Sequence, residues 1–182
     1  MTGTAAWLAL LRGINVGGHH KVPMAELRDL VGGLGLTEVR TLIASGNVVF
    51  RGPDRVEAEL ADELAAAIEE RFGFPVPVVL RQRDELEATA ADNPFPDAEP
   101  KLVHVHFLAE PLPVDLVEGL DLEDLAPEAA VVRGREIVVH YANGSARSTI
   151  GPALTRRLGG HDLGTARNWN TVGKLVDLLA ST

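Results

Sequence analysis

A chain of 182 residues can hold one large domain or two small ones, and its 46% hydrophobic content supplies a sizeable core with only 4% aromatics. The formal net charge of −9 argues against broad nucleic-acid binding, which depends on a basic face to displace counterions. The absence of cysteine excludes a thiol nucleophile, disulfides and thiolate metal sites.

Residues 5–11 are apolar but too short to cross a bilayer. No basic stretch precedes them, as a signal peptide would require. The reading is a cytoplasmic protein without membrane association.

Residues 6–12 predict a buried strand and the Gly-rich residues 13–20 a loop. Pro23 suits the first turn of a helix, and Met24, Leu27, Leu30, Val31 and Leu34 recur at helical spacing up to Gly35. Residues 38–44 predict a strand, Ser45-Gly46-Asn47 a hairpin turn, and Val48-Val49-Phe50 its partner strand. Residues 54–72 form the clearest amphipathic helix, with Val56, Leu60, Leu64, Ala67, Ile68 and Phe72 on one face. A strand follows over 76–81, placed at a sheet edge by Pro77.

This order is the β-α-β-β-α-β pattern of a ferredoxin-like unit. Residues 83–91 read as a connecting helix and 92–96 as a rigid loop. The order then recurs: strand 102–108, a helical stretch 113–120, strands 129–133 and 136–141, helix 149–158 and strand 164–167. A last helix over 170–180 turns Val172, Leu175, Val176 and Leu179 inward. The expected fold is α+β, with two tandem ferredoxin-like halves built on antiparallel sheets, plus a C-terminal helix. The halves are placed at 1–82 and 102–182, joined by 83–101. The duplication rests on element order, since no repeat is visible residue by residue.

In such a unit the first and third strands are antiparallel neighbours. The loop after the first strand therefore lies beside the hairpin between strands two and three. Arg12, Gly13, Asn15, Gly17, Gly18 and Lys21 should then share one surface with Ser45 and Asn47. Glycine-rich backbone forms anion-binding nests, and arginine grips phosphate or carboxylate. These residues are the candidate site for a small anionic ligand. Arg167, Asn168, Trp169, Asn170 and Lys174 would complete it if the two halves face each other, with Asn168 or Asn170 capping the last helix. No Walker A or G-x-G-x-x-G pattern is present. The alternative is structural: the glycines make a tight turn and the asparagines bond nearby backbone.

His104, His106 and His140 fall on adjacent predicted strands, but their relative face is open and no metal site is assigned. No nucleophile or general base stands out, so catalytic residues and cofactors are left unassigned.

Several motifs together resemble the bacterial domain-of-unknown-function 1697 family. These are residues 10–18 with Lys21, Met24 and Leu27; Ser45 to Phe50; Asn93-Pro94-Phe95; Tyr141, Gly144 and Ser148; and Thr165 with Arg167 to Val172, Lys174 and Leu175. The resemblance implies a cytosolic α+β protein of two similar halves, and no particular activity. Three functions follow as readings. The first is binding of a phosphorylated or carboxylated small molecule. The second is a protein-interaction module whose polar motifs are structural. The third, single-stranded nucleic-acid binding on the sheets, is disfavoured by charge and by the lack of sheet aromatics.

Overall fold

The computed structural model describes residues 3–182. Strand β1 (Thr4–Leu11) is apolar on both faces because both are covered: Trp7, Ala9 and Leu11 join one core, while Leu8 and Leu10 are buried on the opposite side. Helix α1 (Met24–Gly33) follows Pro23, whose carbonyl accepts the Leu27 N–H at 3.0 Å. Beyond its cap, Gly35 takes the left-handed conformation (φ 81°) that a glycine after a helix end supplies. Strands β2 (Thr37–Leu42) and β3 (Asn47–Pro53), helix α2 (Glu57–Phe72) and strand β4 (Val78–Gln82) complete the unit. The sheet order is β2-β3-β1-β4, every pair antiparallel, which is the ferredoxin-like arrangement. Leu27 and Val31 of α1 and Leu60, Leu64 and Ile68 of α2 pack on the Trp7 face.

Element boundaries shift by a few residues, and three of the shifts have a visible local cause. α2 starts at Glu57 rather than at 54, because Asp54 prolongs the sheet: its N–H donates to Gly3 O at 2.8 Å. β2 stops at Leu42, since Ile43 is left-handed (φ 51°) and opens a longer turn that closes at the Leu42–Asn47 pair. Pro77 sits just before β4 instead of within it, and its carbonyl accepts the Arg12 N–H at 3.1 Å. β4 is an edge strand, as that proline suggested.

Helix α3 (Arg83–Ala91) leads on to β5 (Val103–Phe107), α4 (Val114–Glu118), β6 (Ala129–Arg133), β7 (Glu136–His140), α5 (Ile150–Arg157), β8 (Thr165–Asn168) and α6 (Trp169–Ala180). The second sheet, β6-β7-β5-β8, repeats the order of the first. Its α5-side core holds Ile137, Val139, Ile150, Leu154 and Leu158.

The register also exposes a residue-level trace of duplication. Leu8 on β1 pairs with Val49 and Arg81; Val105 on β5 pairs with Val138 and Arg167. Each last strand thus carries a buried arginine at the same position. One residue later each of these strands gives way to a helix with a side-chain cap. The Gln82 N–H donates to the Glu85 carboxylate at 2.8 Å, and the Thr171 N–H donates to Asn168 Oδ1 at 2.9 Å. The segments Arg81 to Leu86 and Arg167 to Val172 are counterparts, each ending on a fully buried apolar residue.

The chain divides into two compact units, residues 1–88 with 174–182, and residues 89–173. The first unit therefore takes in the later part of α6. There Arg40 donates to Leu178 O at 3.0 Å and Arg83 to Leu179 O at 2.6 Å, while Arg51 donates to the Thr182 oxygen at 2.8 Å. The last turn of α6 has no basic residue of its own. Arginines from the sheet and from α3 satisfy its outward-pointing oxygens and oppose its negative dipole end. Among the described residues no helix is long and apolar enough to cross a membrane.

Candidate functional site: a glycine-tipped loop on the first sheet

β1 ends where the β2–β3 turn closes, as the topology requires. The Leu11 N–H donates to Gly46 O at 2.8 Å. Contact is so close that a Cβ at Gly46 would lie 2.7 Å from Leu11 Cβ and 2.9 Å from Ile14 Cδ1. Only glycine, in its left-handed conformation (φ 81°), fits there.

From this edge the residue 12–21 loop projects as a small hairpin. The Asn15 N–H donates to His20 O at 3.1 Å and the His19 N–H to Val16 O at 3.2 Å. Gly17 (φ 60°) and Gly18 (φ 80°) form the tip, the positive-φ pair that a type I′ turn needs. The base is clamped by His20, whose ring stacks on Phe74 at 4.4 Å. Its Nδ1 lies 3.3 Å from Gly13 O, so that nitrogen carries the proton.

Asn15 holds the loop to the rest of the unit. Its Nδ2 donates to Val22 O at 2.9 Å and to Ala44 O at 2.8 Å, and its Oδ1 accepts the Val22 N–H at 2.9 Å. Asn47 is fully buried and does the same for the neighbouring turn, donating to Leu42 O at 2.8 Å and Ser45 Oγ at 3.1 Å. The structure thus brings Arg12, Gly13, Asn15, Gly17, Gly18, Lys21, Ser45 and Asn47 together. It sorts them into a polar frame, with Asn47 buried and Asn15 and Ser45 half-buried, and an exposed rim (Arg12, Gly13, Gly17, Gly18, Lys21). His19 and His20 also stand on this rim, and Val16 is 67% exposed. No spacing rule marks a histidine pair inside a turn, so sequence pattern alone does not single these residues out.

The model of a family described as "Protein of unknown function (DUF1697)" matches residues 4–138. The chain belongs to this family. The loop and the Ser-Gly-Asn turn both lie within the DUF1697 match. A solved structure of a conserved bacterial protein from Streptococcus pneumoniae is similar over 97% of this chain and 99% of its own, with 27% identity and a TM-score of 0.73. No curated protein matches.

The second motif lies beyond the DUF1697 match and is organised around the start of α6. Asn168 is the cap, its Oδ1 accepting from the Thr171 N–H at 2.9 Å and from the Thr171 hydroxyl at 3.0 Å. Trp169 is half-buried, while Asn170 and Lys174 are exposed on successive turns. Arg167 points into the interior. Its Nη1 donates to Thr165 Oγ1 and Ala166 O, both at 2.8 Å, and burial pulls its guanidinium down to about 10.

The histidine trio does not converge. His140 pairs with Val103, whereas His104 and His106 pair with Val139 and Ile137. Strand alternation therefore sets His140 on the opposite face from the other two. Among the described residues no cluster of three or more His, Cys, Asp or Glu could hold a metal ion.

Proposed function

We propose that this DUF1697 chain is a cytoplasmic binding protein whose residue 12–21 loop, beside the 43–47 turn, holds a small phosphorylated or carboxylated ligand. One observation carries this reading. On a chain of net charge −9, two exposed cationic side chains, Arg12 and Lys21, flank the exposed left-handed glycines Gly13, Gly17 and Gly18. A Cβ at Gly13 or Gly18 would meet nothing within 4 Å. Backbone N–H groups in such a loop are open to an anion, and the cations supply charge-assisted bonds. Asn15, Ser45 and Asn47 fix the loop's shape, which lowers the ordering cost of binding. Asn168 and Arg167 are engaged within their own unit.

The full chain should be titrated with inorganic phosphate, a nucleoside monophosphate, a sugar phosphate and citrate, with thermal shift as readout. A ligand at 100 times its dissociation constant adds about 2.7 kcal/mol. The stabilisation should vanish in a folded Arg12→Ala/Lys21→Ala chain. A hit that survives this double substitution overturns the assignment.

A second reading is a protein-interaction module. It is favoured by the use of the Asn15, Asn47 and Asn168 side chains in internal bonds. A flat ligand panel, with the loop's exposed residues protected from exchange by a captured protein partner, would support that reading instead.

A further inference from the structure

A second polar cluster lies on the α5-side face of the second sheet. Ala129 pairs with His140, so the next residues outward, Glu128 and Tyr141, are cross-strand neighbours. Tyr141 shares a face with Ile137 and Val139, and so with their partners His106 and His104. The contacts agree. His106 Nε2 lies 2.8 Å from the Tyr141 hydroxyl, and the His104 ring meets the Tyr141 ring edge-on at 4.9 Å.

Glu128 is only 7% exposed. Its Oε2 accepts the Ser148 hydroxyl at 2.8 Å and the Ile150 N–H at 3.3 Å, in the first turn of α5. That position suits a carboxylate, because the helix start offers open N–H groups and a positive dipole end. Its Oε1 is buried and has no hydrogen-bond partner. Buried carboxylate oxygens rarely stay unmatched.

Proton bookkeeping defines what would match it. His106 Nδ1 faces the Leu163 carbonyl at 3.2 Å, so Nδ1 carries the ring proton. With the proton on Nδ1, Nε2 accepts the Tyr141 hydroxyl proton. Burial, reinforced by the Glu128 charge, raises the Tyr141 phenol to about 12, so it keeps that proton. What Tyr141 and Glu128 still offer is acceptor capacity alone, next to a negative charge.

We propose that Glu128 and Tyr141, walled by the His104 ring, form a site for a protonated amine. The ammonium group donates one N–H to Glu128 Oε1 and a second to the Tyr141 oxygen. An anion is refused by the carboxylate, and the acceptor pair is too small a donor set for a divalent ion.

Tyr141 is the chain's one tyrosine, so ¹³Cζ-tyrosine labelling gives a single reporter resonance at the site. The full chain should be titrated with methylammonium chloride, with sodium chloride and tetramethylammonium chloride as controls at equal ionic strength. The expected result is a saturable shift with methylammonium only, since tetramethylammonium has the charge but no N–H. Glu128→Gln keeps the side-chain shape and removes the charge, and should weaken binding about tenfold or more. A wild-type resonance that moves no more in methylammonium than in the controls overturns the proposal, whatever the folding of the variant. A folded Glu128→Gln chain with wild-type affinity does so too.

Discussion

Asn15 and Ala44 stand 29 residues apart in sequence, yet the Asn15 amide donates to the Ala44 carbonyl at 2.8 Å. The same side chain grips both backbone groups of Val22, so one residue ties the loop to the β2–β3 turn and to the entry of α1. Asn15 is also left-handed (φ 55°), a conformation that asparagine tolerates better than most residues. Asn15→Ala removes all of these bonds and keeps the strain. The expected loss is about 2–4 kcal/mol in urea unfolding, the sum of a backbone penalty and unmatched carbonyls. Asn15→Gly relieves the backbone and should cost less. Equal losses in the two variants would show that the side-chain bonds alone matter.

Gly164 supplies a second test. A Cβ there would lie 1.9 Å from the Phe107 carbonyl oxygen, and its φ is 64°. Gly134 is left-handed too (φ 56°), but a Cβ would meet nothing within 4 Å. Gly164→Ala should therefore destabilise by about 3 kcal/mol or more, against about 1 kcal/mol for Gly134→Ala. Similar melting temperatures for the two variants would contradict this contact.

Tyr141 should titrate late. Its phenol is raised from the ordinary value of 10.0 to about 12, chiefly by burial. The native chain keeps this proton where the unfolded chain has lost it. Between pH 10 and 12 the folded state binds more protons, so stability falls as pH rises through that window. Phenolate absorbance follows the group directly. A native midpoint near 10, matching the denatured chain, would refute the buried placement.

The arginines at the end of α6 predict local rather than global effects. Arg40 also donates to Ser181 Oγ at 3.1 Å and to Thr182 Oγ1. Arg40→Ala and Arg83→Ala should each cost about 1–2 kcal/mol. Both should speed amide exchange over residues 178–182 while leaving α5 unchanged. Uniform exchange across both units would argue against a clamp.

Much of this architecture was legible in the sequence because two periodicities carried it. The helical spacing in α1 and α2 and the short apolar runs of the strands placed every element within a few residues. Element order alone then put the Arg12 loop beside the Ser45 turn. What stayed hidden was set by cross-strand register. The equivalence of Arg81 and Arg167 shows only once their partners Leu8 and Val105 are known. Glu128 reads as one acidic residue after a proline, and only pairing beside Tyr141 makes it notable. The face of His140, left open by the sequence, is set the same way, for a one-residue change of register reverses the face. Asn168 was recognisable as a cap because capping is local.

The path of the chain has a consequence for biosynthesis. The first unit is made of residues 1–88 and 174–182, so its sheet emerges from the ribosome long before the helix segment that Arg40, Arg51 and Arg83 grip. The second unit is in effect an insertion, translated whole in between. Vectorial synthesis therefore reverses the order of completion: the unit begun first is closed after the second, and those arginines wait for their partners until residues 174–182 have been made.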